Sequence, residues 1–146
     1  MPSIILYVIL MFFSTEERAT IQNIACRLQG ETGPLGTMAM QEVARTMVAR
    51  TDPAGMNQDW DAILEAYYAC QLPSEEAVGI AIDTYMGKIE PGPYLFIYSR
   101  EDRLRLGYCL GEKVIRDSTL ELNFDSIFPG SRKRCPRSIV EFIQEE

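Results

Sequence analysis

Apolar runs and stripes divide this chain of 146 residues into a helical first part and a second part with short strands. The first run, residues 4–13, contains ten apolar residues without a break. A membrane-spanning helix needs roughly 20 such residues, and the segment lacks the positively charged start and the cleavage site of a secretory signal. We therefore expect a buried element or a contact surface for a partner protein, rather than a membrane anchor or a signal.

Helical periodicity follows this run in four places. A capping box at residues 14–17 starts the first helix, and Gly30 is expected to end it. The second helix is predicted from about residue 36 to residue 50, with Glu42 and Arg45 outside its apolar face. The apolar stripes of the four helices are Ile21, Ile24, Ala25 and Leu28; Met40, Val43, Ala44, Met47 and Val48; Trp60, Ile63, Leu64, Tyr67 and Tyr68; and, in a helix that begins at Ser74, Val78, Ala81, Ile82, Tyr85 and Met86.

The pattern changes to short strands after residue 93. Residues 94–98 are aromatic and β-branched, which predicts a strand, and residues 104–110 and 112–115 predict two more that turn at Gly111. Beyond Asp117 the pattern weakens into a loop-rich tail that ends in a short helix over residues 138–144. The sequence thus predicts a single α+β domain, mainly α-helical, with a small antiparallel β element in its C-terminal half.

Charge and composition narrow the possible chemistry. The net charge of −7 argues against nucleic acid or an anionic membrane as a partner. The one basic cluster, residues 132–134 with Arg137, is therefore interpreted as a solvated loop or a partner-docking tail. The chain has no histidine, which excludes Ser-His-Asp and Cys-His catalysis and most catalytic zinc sites.

The four cysteines are Cys26, Cys70, Cys109 and Cys135, and no two of them have CxxC spacing. A structural zinc site therefore has little support, and we expect neither a metal nor a cofactor. Buried free thiols are the expected state, with two disulfides in any of three pairings as the alternative.

The segment from Gln29 to Gly36 is a glycine-punctuated turn between two helical patterns, with Glu31 near its centre. A carboxyl group fixed at a helix end and facing a loop is suited to act as a general acid in glycoside cleavage. The alternative is an ordinary linker between helices, in which Glu31 is a solvated residue or a cap for the second helix.

Gly30-Glu31, followed by residues 36–50, resembles the core of the SleB-type cell-wall hydrolases. Residues 73–77, Gly87, the strand at 94–98 and Gly111 follow the same order of elements. The resemblance covers about residues 14–116. It leaves an apolar N-terminal segment at 1–13 and a tail at 117–146.

This resemblance implies a fold similar to lysozyme and lytic transglycosylases and cleavage of the glycan strands of peptidoglycan, in a bacterial envelope or phage setting. An ungapped alignment puts the family's first, catalytic glutamate on Arg27. Glu31-Thr32-Gly33 resembles the Glu-Ser-Gly of soluble lytic transglycosylases, which makes Glu31 the acid.

Three further residues are candidates for binding substrate. Gln41 is a candidate substrate contact, and the alternative is a surface position on the second helix. Tyr94 and Tyr98 are candidates for stacking on sugar rings, and the alternative is that both belong to a core strand. The second function class is a non-catalytic descendant of this fold. It would serve as a structural or interaction module, for example in a phage particle, and associate through residues 4–13.

Overall fold

The computed structural model describes residues 4–51 and 59–143, and residues 1–3, 52–58 and 144–146 lie outside this description. The helices predicted from residues 14, 36 and 74 are confirmed, and the first and third of them begin at a serine whose side chain caps the helix. The helix predicted with a stripe from Trp60 to Tyr68 ends at Leu64, and Tyr68 is exposed. The Ser14 hydroxyl accepts from the Glu17 backbone N–H, and the Glu17 side chain accepts from the Ser14 backbone N–H. The Ser74 hydroxyl likewise accepts from the Ala77 backbone N–H at the start of its own helix. The helices are α1 (Ile4–Met11), α2 (Thr15–Thr32), α3 (Thr37–Arg50), α4 (Trp60–Leu64), α5 (Glu75–Tyr85) and α6 (Arg100–Leu106), with short 3₁₀ turns at Gly33–Leu35 and Pro129–Ser131.

Four strands form one sheet in the order β1-β3-β2-β4, with β1 at Phe96–Ser99, β2 at Lys113–Arg116, β3 at Glu121–Asp125 and β4 at Ile139–Phe142. β3 runs antiparallel to both β1 and β2, but β4 runs parallel to β2. The α+β class is therefore confirmed, whereas the sheet is mixed rather than antiparallel. Its pairings place Ile97 opposite Phe124 and Ile115 opposite Leu122.

One hydrophobic core joins the helices to the sheet. Helices α2, α3 and α5 pack on one another. The stripe of α2 is fully buried, and the sheet contributes Ile115, Leu122 and Phe124 to the same cluster. This packing fixes the end of α2 relative to the sheet.

The N-terminal run forms α1, which packs one side against the core through Leu6, Ile9 and Leu10. No residue of α1 is fully buried, and Tyr7 is 69% exposed. The expectation of a buried element therefore holds for one side of the helix only. Among the helices of residues 4–51 and 59–143, none is both long enough and apolar enough to cross a bilayer.

The C-terminal predictions were wrong at three places. The strand predicted at 104–110 is absent, because residues 104–106 end helix α6 and residues 107–110 form no strand, and β4 replaces the helix predicted at 138–144, whose last residue lies outside the described part. Residues 117–143 are not a loop-rich tail, because they supply β3, which is buried at all five positions, and β4.

Polar residues on one face of β3 are buried because each has a partner. Asn123 accepts from the Gly111 backbone N–H at 2.9 Å, and Glu121 is held by the Arg103 guanidinium at 2.7 and 3.2 Å. Asp125 is fully buried and bonds Arg132 at 2.8 Å. Arg132 also pairs with Glu112. The basic cluster is thus only partly a solvated loop, since Arg132 is a structural cation.

All four cysteines are in disulfides, so the expectation of free thiols was wrong. Cys26 pairs with Cys70 and Cys109 with Cys135, with Cα atoms 4.7 and 5.3 Å apart. Both separations lie within the range that a disulfide spans. The first bond ties the end of α2 to the loop after α4, and the second ties the segment after α6 to the segment before β4.

Candidate functional site

Glu31 lies in the last turn of α2 and is half-buried. Its Oε1 accepts a hydrogen bond from the Ala69 backbone N–H at 3.2 Å. Burial raises the pKa of the Glu31 carboxyl above its ordinary value of 4.5, although the Ala69 N–H and the Arg27 guanidinium act in the opposite direction. The residue therefore has one property that a general acid needs.

The helix does not stop at Gly30 as predicted. α2 continues to Thr32 and ends at Gly33, whose φ of 51° suits a residue without a side chain. Gly30 is instead a point of close approach, because a Cβ built there would lie 2.4 Å from the Ala69 carbonyl carbon. The tertiary contact explains the glycine better than a helix stop does.

The last two turns of α2 hold the loop at residues 67–74, and we call this set of contacts the loop clamp. Its members on the helix are Cys26, Arg27, Gln29, Gly30 and Glu31. The Cys26 carbonyl accepts from the Gln71 N–H at 3.1 Å, and the Gln29 Oε1 accepts from the Ser74 N–H at 2.9 Å. Glu31 is thus part of a structural cluster as well as a candidate acid.

Arg27, which stands at the family's acid position, belongs to the loop clamp. Its Nη1 donates to the carbonyl oxygens of Tyr67 and Tyr68, and its Nε donates to Asn23 at 3.2 Å. A guanidinium stays protonated at neutral pH and cannot serve as a proton donor there. The residue therefore has a structural role at this position.

The three candidate substrate-binding residues lie on α3 and on or just before β1, whereas Glu31 lies on α2. Gln41 is exposed on α3. Tyr94 is half-buried, with its ring 6.1 Å from that of Phe124. Tyr98 is only 7% exposed, and its hydroxyl lies 2.9 Å from the Cys109 carbonyl oxygen. Within residues 4–51 and 59–143, no hydrogen bond or ring contact joins Glu31 to any of them.

Tyr98 is set into the interior rather than presented to a ligand. Its hydroxyl is also 3.1 Å from the Asp125 carboxylate. Burial, followed by the nearby Asp125 charge, raises the pKa of Tyr98. Of the two tyrosines, Tyr94 has the more accessible ring.

Tyr67, which the sequence assigned only to an apolar stripe, is near enough to Glu31 for the Glu31 charge to act on its hydroxyl. It is 1% exposed, and its hydroxyl bonds the Thr46 hydroxyl at 2.8 Å. Burial raises the pKa of Tyr67 to about 12. The Arg50 guanidinium lies 5.6 Å from the ring centroid. Helical spacing identified the burial of Tyr67, but no local signal pointed to the hydrogen bond of its hydroxyl with Thr46.

Glu42, predicted outside the apolar face of α3, is 5% exposed. Its Oε2 lies 3.3 Å from Arg45 and 3.4 Å from Lys113, while its Oε1 is buried without a hydrogen-bond partner within the described residues. The prediction was wrong because Lys113 of the sheet supplies a counter-charge that the helix pattern does not contain.

Three surface clefts of about 290–320 Å³ are lined by described residues, and Glu31 lines none of them. One is acidic and includes Trp60 and Tyr85. The other two adjoin and share Arg100. Across residues 4–51 and 59–143, no group of three His, Cys, Asp or Glu side chains is placed to hold a metal.

No known protein family, no curated protein and no solved structure matches this chain.

Proposed function

We propose that the protein cleaves the glycan strands of peptidoglycan, with Glu31 as the general acid. The observation that carries this proposal is the half-buried Glu31 carboxyl at the end of α2, whose pKa burial raises. The order of elements along residues 14–116, which resembles the SleB-type cell-wall hydrolases, supports the substrate class.

A single carboxyl group suffices for one form of this reaction. Protonated Glu31 donates its proton to the glycosidic oxygen as the bond to the anomeric carbon breaks. The 6-hydroxyl of the muramic acid then bonds to that carbon, and its proton passes to the Glu31 carboxylate, which restores the acid. This lytic transglycosylase route consumes no water and needs neither a histidine nor a second carboxylate.

The decisive variant is Glu31→Gln, because glutamine keeps an oxygen that can accept from the Ala69 N–H while it removes the acid. Clearing of a peptidoglycan suspension should slow by at least about 100-fold, the usual contribution of a positioned general acid. Glu65→Gln is the matched control, because Glu65 is an exposed glutamate that caps α4 at the other side of the same loop.

Both variants should retain the near-ultraviolet circular dichroism spectrum of the unsubstituted protein. Clearing that survives Glu31→Gln in a folded protein would remove Glu31 from the mechanism. Mass spectrometry of the products separates the two routes, because transglycosylase products lack the mass of one water that muramidase products carry.

A second candidate function is a non-catalytic structural or interaction module. The loop clamp favours it, because Arg27 and Glu31 both hold the loop at residues 67–74. The exposed apolar side of α1 and the turn after it, with Tyr7 and Phe12 at 69% and 84% exposure, offer a contact surface. This candidate predicts no activity on any glycan and a change in oligomeric state when the chain is started at Ser14. An unchanged oligomeric state in analytical ultracentrifugation would count against it.

A further inference from the structure

A cleft of about 320 Å³ lies at one end of the sheet, where α6, β4 and the turn between β2 and β3 meet. Three arginines line it, Arg100 and Arg103 from α6 and Arg116 from the end of β2. The turn contributes the Ser118 and Thr119 hydroxyl groups. This volume falls within the range of small-molecule sites.

The acidic residues of the cleft are already engaged. Glu121 is held by the Arg103 guanidinium through two hydrogen bonds of 2.7 and 3.2 Å. The Asp117 Oδ1 accepts from the backbone N–H groups of Thr119 and Leu120, both at 2.7 Å. These backbone bonds lower the pKa of Asp117 and close the turn. Glu121 is thus paired with Arg103, whereas Asp117 bonds only neutral donors and keeps its negative charge in the cleft.

Arg100 and Arg116 are the cations left over. Within residues 4–51 and 59–143, neither side chain forms an ion pair. Arg100 is exposed and Arg116 half-buried. The lining carries three arginines against the two carboxylates of Asp117 and Glu121, and this excess of positive charge, in a protein with a net charge of −7, favours an anion at that place.

We propose that this cleft binds an oxyanion, a carboxylate or phosphate group of a small ligand or of a polymer chain, between Arg100 and Arg116. A guanidinium presents its donors in a planar fork that matches both groups. The exposed ring of Phe142 forms an apolar wall for the part of the ligand next to the anion.

The cleft adjoins the turn that carries Glu31. Leu120 lines it, and the Leu120 Cδ2 lies 3.4 Å from where a Cβ on Gly33 would stand. Asp102 of α6 is also near enough for its charge to act on the Glu31 carboxyl. A carboxylate on the peptide part of peptidoglycan would suit this position, and that assignment rests on the proposed function. Oxyanion binding itself does not depend on it.

Calorimetric titration without turnover tests the proposal. The probes are inorganic phosphate, N-acetyl-D-alanyl-D-alanine with its free carboxylate, and the C-terminal amide of the same dipeptide. The proteins are the unsubstituted chain, Arg100→Gln, Arg116→Gln and the control Arg134→Gln. The control removes the same charge from an exposed residue that does not line the cleft.

We expect phosphate or the dipeptide carboxylate to bind, and each cleft variant to weaken binding about tenfold, as loss of a charge-assisted hydrogen bond does. Arg134→Gln should leave the affinity within about twofold, because a distant exposed charge is screened by salt. Tighter binding of the dipeptide would assign the carboxylate, and tighter binding of phosphate would assign the phosphate group.

The proposal is overturned if neither anion binds, if the amide binds as well as the carboxylate, or if the cleft variants bind like the control. Circular dichroism of each variant checks that it is folded. A protein that binds an anion here but clears no peptidoglycan would keep this inference and reject the proposed function.

Discussion

Replacing Gly30 by alanine should destabilise the protein, although the same change inside a helix usually stabilises. A Cβ at Gly30 would lie 2.4 Å from the Ala69 carbonyl carbon and 2.5 Å from the Cys70 backbone nitrogen. Both are backbone atoms of a loop that the Cys26–Cys70 disulfide and Arg27 hold in place. The loop therefore cannot move aside as a flexible side chain would.

The expected change in the free energy of unfolding follows from opposing contributions. Alanine in place of glycine in a helix interior stabilises by about 1 kcal/mol. Overpacking against a fixed neighbour costs about 1–3 kcal/mol, and displacing the loop weakens the bond from the Ala69 N–H to Glu31, worth about 1 kcal/mol. We expect a net loss of about 1–3 kcal/mol, which lowers Tm by roughly 3 °C per kcal/mol for a chain of this size.

Gly79→Ala is the matched control. Gly79 also lies inside a helix, α5, but the nearest atom to its added Cβ is the Leu6 Cδ2 at 4.0 Å. That is an ordinary van der Waals distance, so this variant should gain up to about 1 kcal/mol. The two variants thus share one chemical change and have opposite expected signs.

Urea unfolding under non-reducing conditions measures both changes, since the disulfides must stay intact for the loop to remain fixed. If Gly30→Ala stabilised the protein as much as Gly79→Ala does, the close approach of α2 to residues 69–70 would be refuted. The structural account of the loop clamp would fall with it.

Other predictions concern charge and covalent bonds. Arg132→Ala leaves the carboxylates of Glu112 and Asp125 without their cation, so it should lower the free energy of unfolding in urea by about 3 kcal/mol. Lys133→Ala, at an exposed neighbouring position, should change that free energy by less than about 0.5 kcal/mol. The pKa of Glu31 is raised on folding, so its contribution to stability is present below pH 4.5 and is lost as pH rises through the folded pKa. The stability of Glu31→Gln relative to the unsubstituted protein should therefore increase as pH rises from 4 to 8. A variant that gained nothing would contradict the raised pKa. Disulfides closing 44 and 26 residues should each contribute about 3.5–4 kcal/mol, so reduction with a thiol should shift the urea midpoint strongly downward.

Local signals explain which parts of the fold could be predicted. Ser14, Ser74 and the apolar stripes each act within a few residues, so the starts of α2 and α5 and the buried stripe of α2 follow from the sequence. The same reasoning failed at residues 104–110, predicted as a strand, because residues 104–106 belong to α6. Ser99 caps that segment as a helix, and none of its residues is buried, so apolar spacing carried no information there.

The strands at the C-terminus depend on distant partners. β3 alternates polar and apolar residues, and its polar face is buried only because Arg103 and Arg132 reach it from other segments. β4 is a strand because it pairs in parallel with β2, with Val140 opposite Val114. A parallel pairing joins segments far apart in the chain, and no short-range pattern encodes it.

The candidate site likewise has features that the sequence predicts and features that only the folded structure shows. The sequence by itself determined helices α2, α3 and α5, the absence of histidine chemistry and the presence of a carboxyl group near the end of α2. Tertiary structure alone decided that Glu31 is half-buried and bonded to the Ala69 N–H, that Gly30 is a contact rather than a stop, and that Arg100 and Arg116 share a cleft. The reason is physical, because caps and stripes act within one or two turns, whereas burial and charge balance depend on segments that meet only after folding.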